Sequence, residues 1–229
     1  MKKKFLWISV IIVIIFSLFA IYISRHREPD YSIGNDKFKI INILNHKWKF
    51  IVTKSNTHYI DTLILNSYFK SGNNDNLRFR WILITFDSLK SNSLIDTVYS
   101  VINVSVDKNN YVEIPNPTNK YLKLTEAIPS PQLKFPIELG HPINTKTKVK
   151  ITSNEELKGI TVTGKIEVKG KIYYDNPIVK DSCLVLDVVG NSKLGTFKAK
   201  YYFHEKYGFV YFYFDFVKYQ VEINIISYK

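Results

Sequence analysis

The stretch Phe197–Phe203, FKAKYYF, indicates the fold class because its side chains alternate between two characters. Lys198 and Lys200 occupy the even positions, and the odd positions are apolar or aromatic. A period of two puts successive side chains on opposite faces of a strand, so the pattern predicts a half-buried antiparallel β-strand. The predicted buried set is Phe197, Ala199, Tyr201 and Phe203.

The residues that follow predict two more strands with a turn at Asp215. Phe209–Phe216 is apolar on both faces, so it is either a central strand or a strand that lines something. From Val217 to Ile225 apolar and polar residues alternate again, which predicts a strand with Val217 and Tyr219 on its inward face.

Upstream, the same period of two recurs, and loop-forming residues separate the segments. Tyr59–Phe69 and Leu77–Phe86 flank an Asn- and Gly-rich loop and predict a hairpin, while residues 88–99 could form a short helix instead of a strand. The expected fold is mostly β: an antiparallel curved sheet or partial barrel after one N-terminal transmembrane helix. Other predicted strands are Lys47–Val52, Lys146–Ile151, Gly159–Lys169, Lys171–Tyr174, Ser182–Val189 and Thr196–His204.

Six prolines fall between Pro115 and Pro142, and such a density is incompatible with the interior of a regular sheet. This segment is either an extended connector or a strap across the mouth of a curved sheet. The predicted organisation is an anchor with basic flanks at 1–27, a first β-rich part at 28–114, a Pro-rich connector at 115–142 and a second, aromatic-rich part at 143–229.

Phe5–Ile23 is an uncharged, apolar run of 19 residues, FLWISVIIVIIFSLFAIYI. As a helix it would extend about 28 Å, close to the thickness of a bilayer's hydrocarbon core. A cleaved signal peptide is the alternative, but the run is long and lacks a small-x-small cleavage site near its end. We therefore expect an uncleaved single-pass membrane anchor.

The flanking charges give the expected orientation of this anchor. Three lysines and the α-amino group precede the run, and Arg25 and Arg27 follow it. The positive-inside rule then leaves the N-terminus in the cytoplasm and the β-domain outside it. If the run is cleaved instead, the domain is exported.

The formal charge of +12 does not by itself indicate nucleic-acid binding. The first 27 residues hold five basic and no acidic residues, and 28 of the 32 basic residues of the chain are Lys. Lys lacks the planar fork with which Arg reads guanine and phosphate. We expect no nucleic-acid partner.

The sequence contains no pattern that indicates catalysis, a metal or a cofactor. The five histidines are not paired at metal-ligand spacing, and the nucleotide-binding glycine motifs and G-x-S-x-G are missing. Cys183 lies in an apolar run typical of a small buried residue. Asp215 follows four aromatic residues, yet a turn role explains it more simply. We expect no enzyme, no metal and no cofactor.

The C-terminal aromatic residues are the one feature beyond an ordinary core. Thirteen of the 32 residues from Phe197 to Tyr228 are aromatic. A thick core is the plainer interpretation, and a ligand groove beneath the Pro-rich segment is the other. The candidate ligand-binding residues are Tyr201, Phe203, Phe209, Tyr211, Tyr213 and Phe216.

The segment Tyr201–Val210, YYFHEKYGFV, resembles a strand–turn–strand ending of uncharacterised bacterial envelope proteins that join an N-terminal anchor to a curved antiparallel sheet. The resemblance implies an architecture and no activity. The expected function is a structural or interaction role in the cell envelope, with an envelope protein, polymer or lipid as partner. The alternative is a binder of an apolar or amphipathic, lipid-like ligand in an aromatic-lined groove.

Overall fold

A long antiparallel sheet dominates the molecule. A computed structural model of the chain describes residues 17, 30–33, 36–39, 46–55, 60–69, 76–86, 93–98, 104–105, 111–118, 122–135, 137–149 and 155–229. Except for Ser17, the predicted anchor Phe5–Ile23 lies outside them. Within these ranges, no helix combines the length and apolar character needed to cross a bilayer.

The described residues lie mainly in β-strands, as the period-two pattern predicts. They also include the 3-10 helix Lys123–Ala127. The strands are β1 Asp30–Ile33, β2 Asp36–Lys39, β3 Lys47–Lys54, β4 Ile60–Phe69, β5 Asn76–Phe86, β6 Ser93–Val98, β7 Val104–Ser105, β8 Tyr111–Glu113, β9 Gln132–Lys134, β10 Ile143–Lys148, β11 Thr161–Asp175, β12 Lys180–Ser192, β13 Gly195–His204, β14 Gly208–Asp215 and β15 Gln220–Tyr228.

Eleven strands form one sheet in the order β10-β11-β12-β13-β14-β15-β3-β4-β5-β6, with β7 also paired to β5. The last strand, β15, pairs with β3, which places Val221 opposite Lys54 and Tyr228 opposite Trp48. Strands from both sides of the Pro-rich segment therefore share one sheet. The prediction of a mostly β fold with a large antiparallel sheet is confirmed, as is the hairpin of β4 and β5.

The sheet curves toward the face that carries Trp81 and Phe212. These residues belong to β5 and β14, which are four positions apart in the strand order. In a flat sheet that offset would be about 19 Å. Their ring centroids are 5.9 Å apart, and Phe50 of β3 contacts both rings. We call this concave side the covered face.

Residues 111–118 and 122–135, named here the covering segment, lie across that face and include β8, β9 and the 3-10 helix. The indole nitrogen of Trp81 donates a hydrogen bond of 2.8 Å to the carbonyl oxygen of Pro115. Phe135 contacts the ring of Phe203. Through these contacts the covering segment packs against the covered face of the sheet.

Two glycines let the covering segment approach the sheet backbone closely. At Gly164 of β11 an added Cβ would overlap the ring of Pro129, and at Gly190 of β12 it would lie 2.7 Å from the carbonyl oxygen of Ala127. The separately predicted strands Gly159–Lys169 and Lys171–Tyr174 are parts of one strand, β11, because Gly170, with a φ of +147°, takes part in a β-bulge through which the strand continues.

Of the two alternatives that the sequence left open for residues 88–99, residues 93–98 form the strand, β6. One local prediction is wrong. Val217 was predicted to face inward, but it lies at the apex of the β14–β15 turn and is 83% exposed. The turn takes up Phe216–Tyr219, since the amide of Phe216 bonds the carbonyl oxygen of Tyr219, so the buried alternation begins only at Val221.

Candidate functional site

The six predicted ligand-binding residues do not line one surface. Tyr201 pairs with Phe212 across β13 and β14, whereas Tyr211 pairs with the next residue, Tyr202. Because side chains alternate between faces, Tyr201 and Tyr211 point to opposite sides of the sheet. Four of the six residues lie in the core and two on the other side; the core residues are Tyr201, Phe203, Phe209 and Phe216.

The four core residues are packed against other aromatic rings. Tyr201 is 0% exposed, and its ring contacts Phe209, Phe212 and Phe214. Its hydroxyl lies 3.1 Å from Asn116 Oδ1 and 3.0 Å from the carbonyl oxygen of Pro129. Burial raises the pKa of Tyr201 well above its usual value. A ligand could reach this ring only if the covering segment moved away.

The other side of the sheet carries a cluster of half-buried tyrosines, which we call the tyrosine face: Tyr174, Tyr202, Tyr211 and Tyr213. Tyr202 and Tyr211 are cross-strand neighbours whose rings stack at 4.4 Å with an angle of 24° between their planes. Tyr174 meets Tyr202 edge-on at 5.4 Å. Such pairs fix ring orientations while leaving part of each ring in contact with solvent.

The end of the β11–β12 hairpin folds over this face. Tyr174 of β11 donates a hydrogen bond of 2.9 Å to Asn224 Oδ1 on β15, four positions away in the strand order. A flat sheet would separate those strands by about 19 Å. A β-bulge between Val168 and Gly170 shifts the β11–β12 register before the hairpin reaches Tyr174. Burial raises the pKa of Tyr174 to about 12, so this phenol stays protonated as a donor at neutral pH.

Charged groups in pairs surround the tyrosines. Lys200 Nζ lies 3.9 Å from Asp187 Oδ1, with both side chains about half exposed. Tyr211 donates a hydrogen bond of 3.3 Å to Glu222 Oε1. Farther along the face, hydrogen bonds from Lys169 and Lys165 hold the pKa of Glu167 below its usual value. The surface thus offers aromatic rings, donors and carboxylates side by side.

One edge of this region contains a histidine–aspartate pair. His204 Nε2 lies 3.3 Å from Asp181 Oδ2, and His204 Nδ1 accepts a hydrogen bond of 3.1 Å from the amide of Lys206. That acceptor role assigns the ring proton to Nε2, which donates to the carboxylate. Hydrogen bonds to its carboxylate, first from the backbone amide of Ser182 and then from the side chain of His204, lower the pKa of Asp181.

Cys183 is close in sequence to Asp181 of this pair. Its side chain is fully buried, and it behaves as an unreactive core residue. Burial raises the pKa of the thiol to about 12, and Asp181 adds to the rise. A nucleophilic cysteine requires the opposite shift, because the thiolate is the reactive form. Asp215 has a turn role: its Oδ1 accepts a hydrogen bond of 2.9 Å from the amide of Val217.

Among the described residues, no group of three or more His, Cys, Asp or Glu side chains is placed to hold a metal ion. What the tyrosine face presents is a patch of oriented rings with a rim of paired charges. Such a composition is typical of surfaces that contact another macromolecule.

Tyr174 and Tyr202 were missing from the predicted site, although one signal for Tyr202 stands in the sequence. In the segment Phe197–Phe203, one face carries Lys198, Lys200 and Tyr202. An aromatic residue therefore stands where the pattern would place a third lysine. A tyrosine on an otherwise polar face is a candidate for contact with a partner, because it combines an apolar ring with a polar hydroxyl. Tyr174 carries no comparable signal, because the fold of its hairpin depends on a bulge.

Comparisons with known proteins give a distant structural likeness. No protein-family model and no curated protein matches the chain. A Bacteroides fragilis crystal structure, described as "a putative exported protein with YmcC-like fold", aligns with 88% of this chain and 100% of its own. The two share 8% sequence identity and a TM-score of 0.41.

Proposed function

We propose that this chain is a membrane-anchored interaction domain of the cell envelope, with no enzymatic activity, that binds a partner protein through its tyrosine face. The observation that carries the proposal is the stacked pair Tyr202 and Tyr211, with half-buried Tyr213 beside it. Tyr is enriched at protein interfaces because it offers a rigid apolar body and a polar tip.

The division of the aromatic residues between two faces supports this role over a lipid-like ligand in a groove. On the covered face, Tyr201, Phe203 and Phe209 are at most 1% exposed, and the covering segment occupies the space that a groove would need. On the tyrosine face, rings and charged pairs remain accessible. The tyrosine face therefore suits a partner protein that binds from solution.

Native mass spectrometry of the full chain, purified in mild detergent from its own host, tests the proposal. We expect a protein bound in fixed stoichiometry, and we expect the double variant Tyr202→Ser, Tyr213→Ser to lose it. Tyr173→Ser is the matched control, since Tyr173 is exposed near the hairpin end. A tightly bound lipid without a protein partner would favour the groove instead.

The anchor has its own test. The uncharged run Phe5–Ile23 predicts that alkaline carbonate leaves the full chain in the membrane pellet. The proposed orientation predicts that protease added from the extracytoplasmic side degrades the β-domain. Release by carbonate, or recovery of a chain that lacks the run, would replace the anchor with an exported domain.

A further inference from the structure

Val217 combines strong exposure with a backbone conformation that valine rarely adopts. It is 83% exposed at the apex of the β14–β15 hairpin and has a φ of +67°. The amide of Lys218 donates a hydrogen bond of 2.7 Å to the carbonyl oxygen of Phe216, which closes a γ-turn around Val217. The turn therefore lifts a branched apolar side chain into solvent.

Neither packing nor turn geometry accounts for a valine at this position. A positive φ is an outlier for a β-branched residue, and glycine would form the same turn without the strain. The side chain contributes nothing to the core, because most of it is in contact with solvent. Strained residues of this kind concentrate where a protein contacts something else.

The surroundings of Val217 are basic and aromatic. Tyr219 on the same hairpin is half-buried, and Lys54 Nζ lies 4.3 Å from the centre of its ring. Asp215 bonds the amide of Val217 and pairs in register with Lys198 on β13. Four lysines rim this end of the sheet, from β3 and the hairpins of β12–β13 and β14–β15: Lys54, Lys193, Lys198 and Lys218.

We propose that this hairpin end rests on an anionic lipid surface, with Val217 inserted among the headgroups and the four lysines above the phosphates. One projecting side chain beside a half-buried tyrosine offers far less than the roughly 800 Å² per partner of a stable protein interface. A small apolar apex within a lysine rim does suffice at a charged membrane surface, where each lysine adds to the attraction.

The lysine chemistry fits a lipid surface as well. Lys acts as a point charge on a flexible stem, which suits a mobile array of phosphates and needs no fixed bidentate geometry. Tyr219 adds a ring of the type that favours the membrane–water boundary. The surface differs from the tyrosine face in position and in composition, so the two can be occupied together.

The test uses the full chain in liposomes, with Val217→Cys carrying a polarity-sensitive fluorophore. The unsubstituted chain measures background, because its Cys183 is buried. With phosphatidylglycerol in the bilayer we expect blue-shifted emission that a lipid-borne quencher suppresses, and with phosphatidylcholine alone we expect emission typical of water. Leu139→Cys is the matched control, because Leu139 is exposed near the start of β10 at the other end of the sheet. A fluorophore at this position should show emission typical of water with both lipids.

Charge variants complete the test. Lys54→Ala and Lys218→Ala in the labelled chain should each lower the apparent affinity for the anionic surface, taken from the emission shift as a function of phosphatidylglycerol content, about fivefold. Equal emission from position 217 in both lipids, or an equal shift at position 139, would overturn the proposal.

Discussion

Tyr201 on β13 and Asn116 in the covering segment are joined by a buried hydrogen bond of 3.1 Å. The amide nitrogen of Asn116 in turn donates 2.8 Å bonds to the carbonyl oxygens of Thr125 and Ile128. One side chain thus ties two turns of the covering segment to the sheet. All these groups are removed from water, so each depends on its partner.

Removing the hydroxyl of Tyr201 should loosen this connection. Tyr201→Phe leaves Asn116 Oδ1 and the Pro129 carbonyl without their donor, and a buried acceptor without a partner costs about 1–3 kcal/mol. We expect the free energy of unfolding to fall by that amount in chemical denaturation. Tyr202→Phe removes the same atom at the half-exposed tyrosine face and should change stability much less.

A methyl group at Gly164 should also destabilise the packing of the covering segment on the sheet. Gly164→Ala would push against Pro129 and lie 2.7 Å from the carbonyl oxygen of Val189. Overpacking of this kind costs about 1–3 kcal/mol. Hydrogen exchange should show faster exchange in residues 111–135. Pro129→Ala added to Gly164→Ala should restore part of the loss, and no recovery would argue against this contact.

The strain at Val217 predicts an unusual stability change. Val217→Gly relieves about 1–3 kcal/mol of backbone strain and loses about 1 kcal/mol to unfolded-chain entropy. The melting temperature should therefore stay level or rise. Lys218→Gly at the neighbouring turn position has no strain to relieve and should lower it. A clear loss of stability in Val217→Gly would contradict the strained turn.

Cys183 should be chemically silent in the folded chain. It is fully buried, and its pKa is raised to about 12, so the thiolate fraction near neutral pH is very small. A thiol reagent at pH 8 should label the native chain only over hours and the chain in concentrated guanidinium chloride at once. Rapid labelling of the native chain would show an accessible thiol.

The low pKa of Asp181 predicts a pH dependence. A carboxyl whose folded pKa lies below its unfolded value adds stability above the unfolded pKa, and this stability is lost as the pH falls through the folded value. The difference in melting temperature between the unsubstituted chain and Asp181→Asn should therefore shrink as pH falls below about 4. A constant difference would mean that the bonds from Ser182 and His204 do not set the pKa.

The strands and their buried faces could be predicted from the sequence, because the alternation of apolar and polar residues follows the alternation of buried and exposed side chains. Phe197–Phe203 and Val221–Ile225 show the predicted faces, with Phe197, Ala199, Tyr201 and Phe203 all buried. The sequence was insufficient for the site. Adjacent residues such as Tyr201 and Tyr202 point to opposite faces, so a run of aromatics cannot form one surface, and pairing, bulges and the covering segment decide which face stays open.

Site-specific photo-crosslinking can show whether the tyrosine face binds a partner protein. A photoreactive amino acid is placed at Tyr213 of the full chain in its host and compared with one at Leu139, an exposed position away from that face. We predict one discrete protein adduct from position 213, lost on Tyr202→Ser, and none from position 139. Equal adducts from both positions, or none from position 213, would contradict the account.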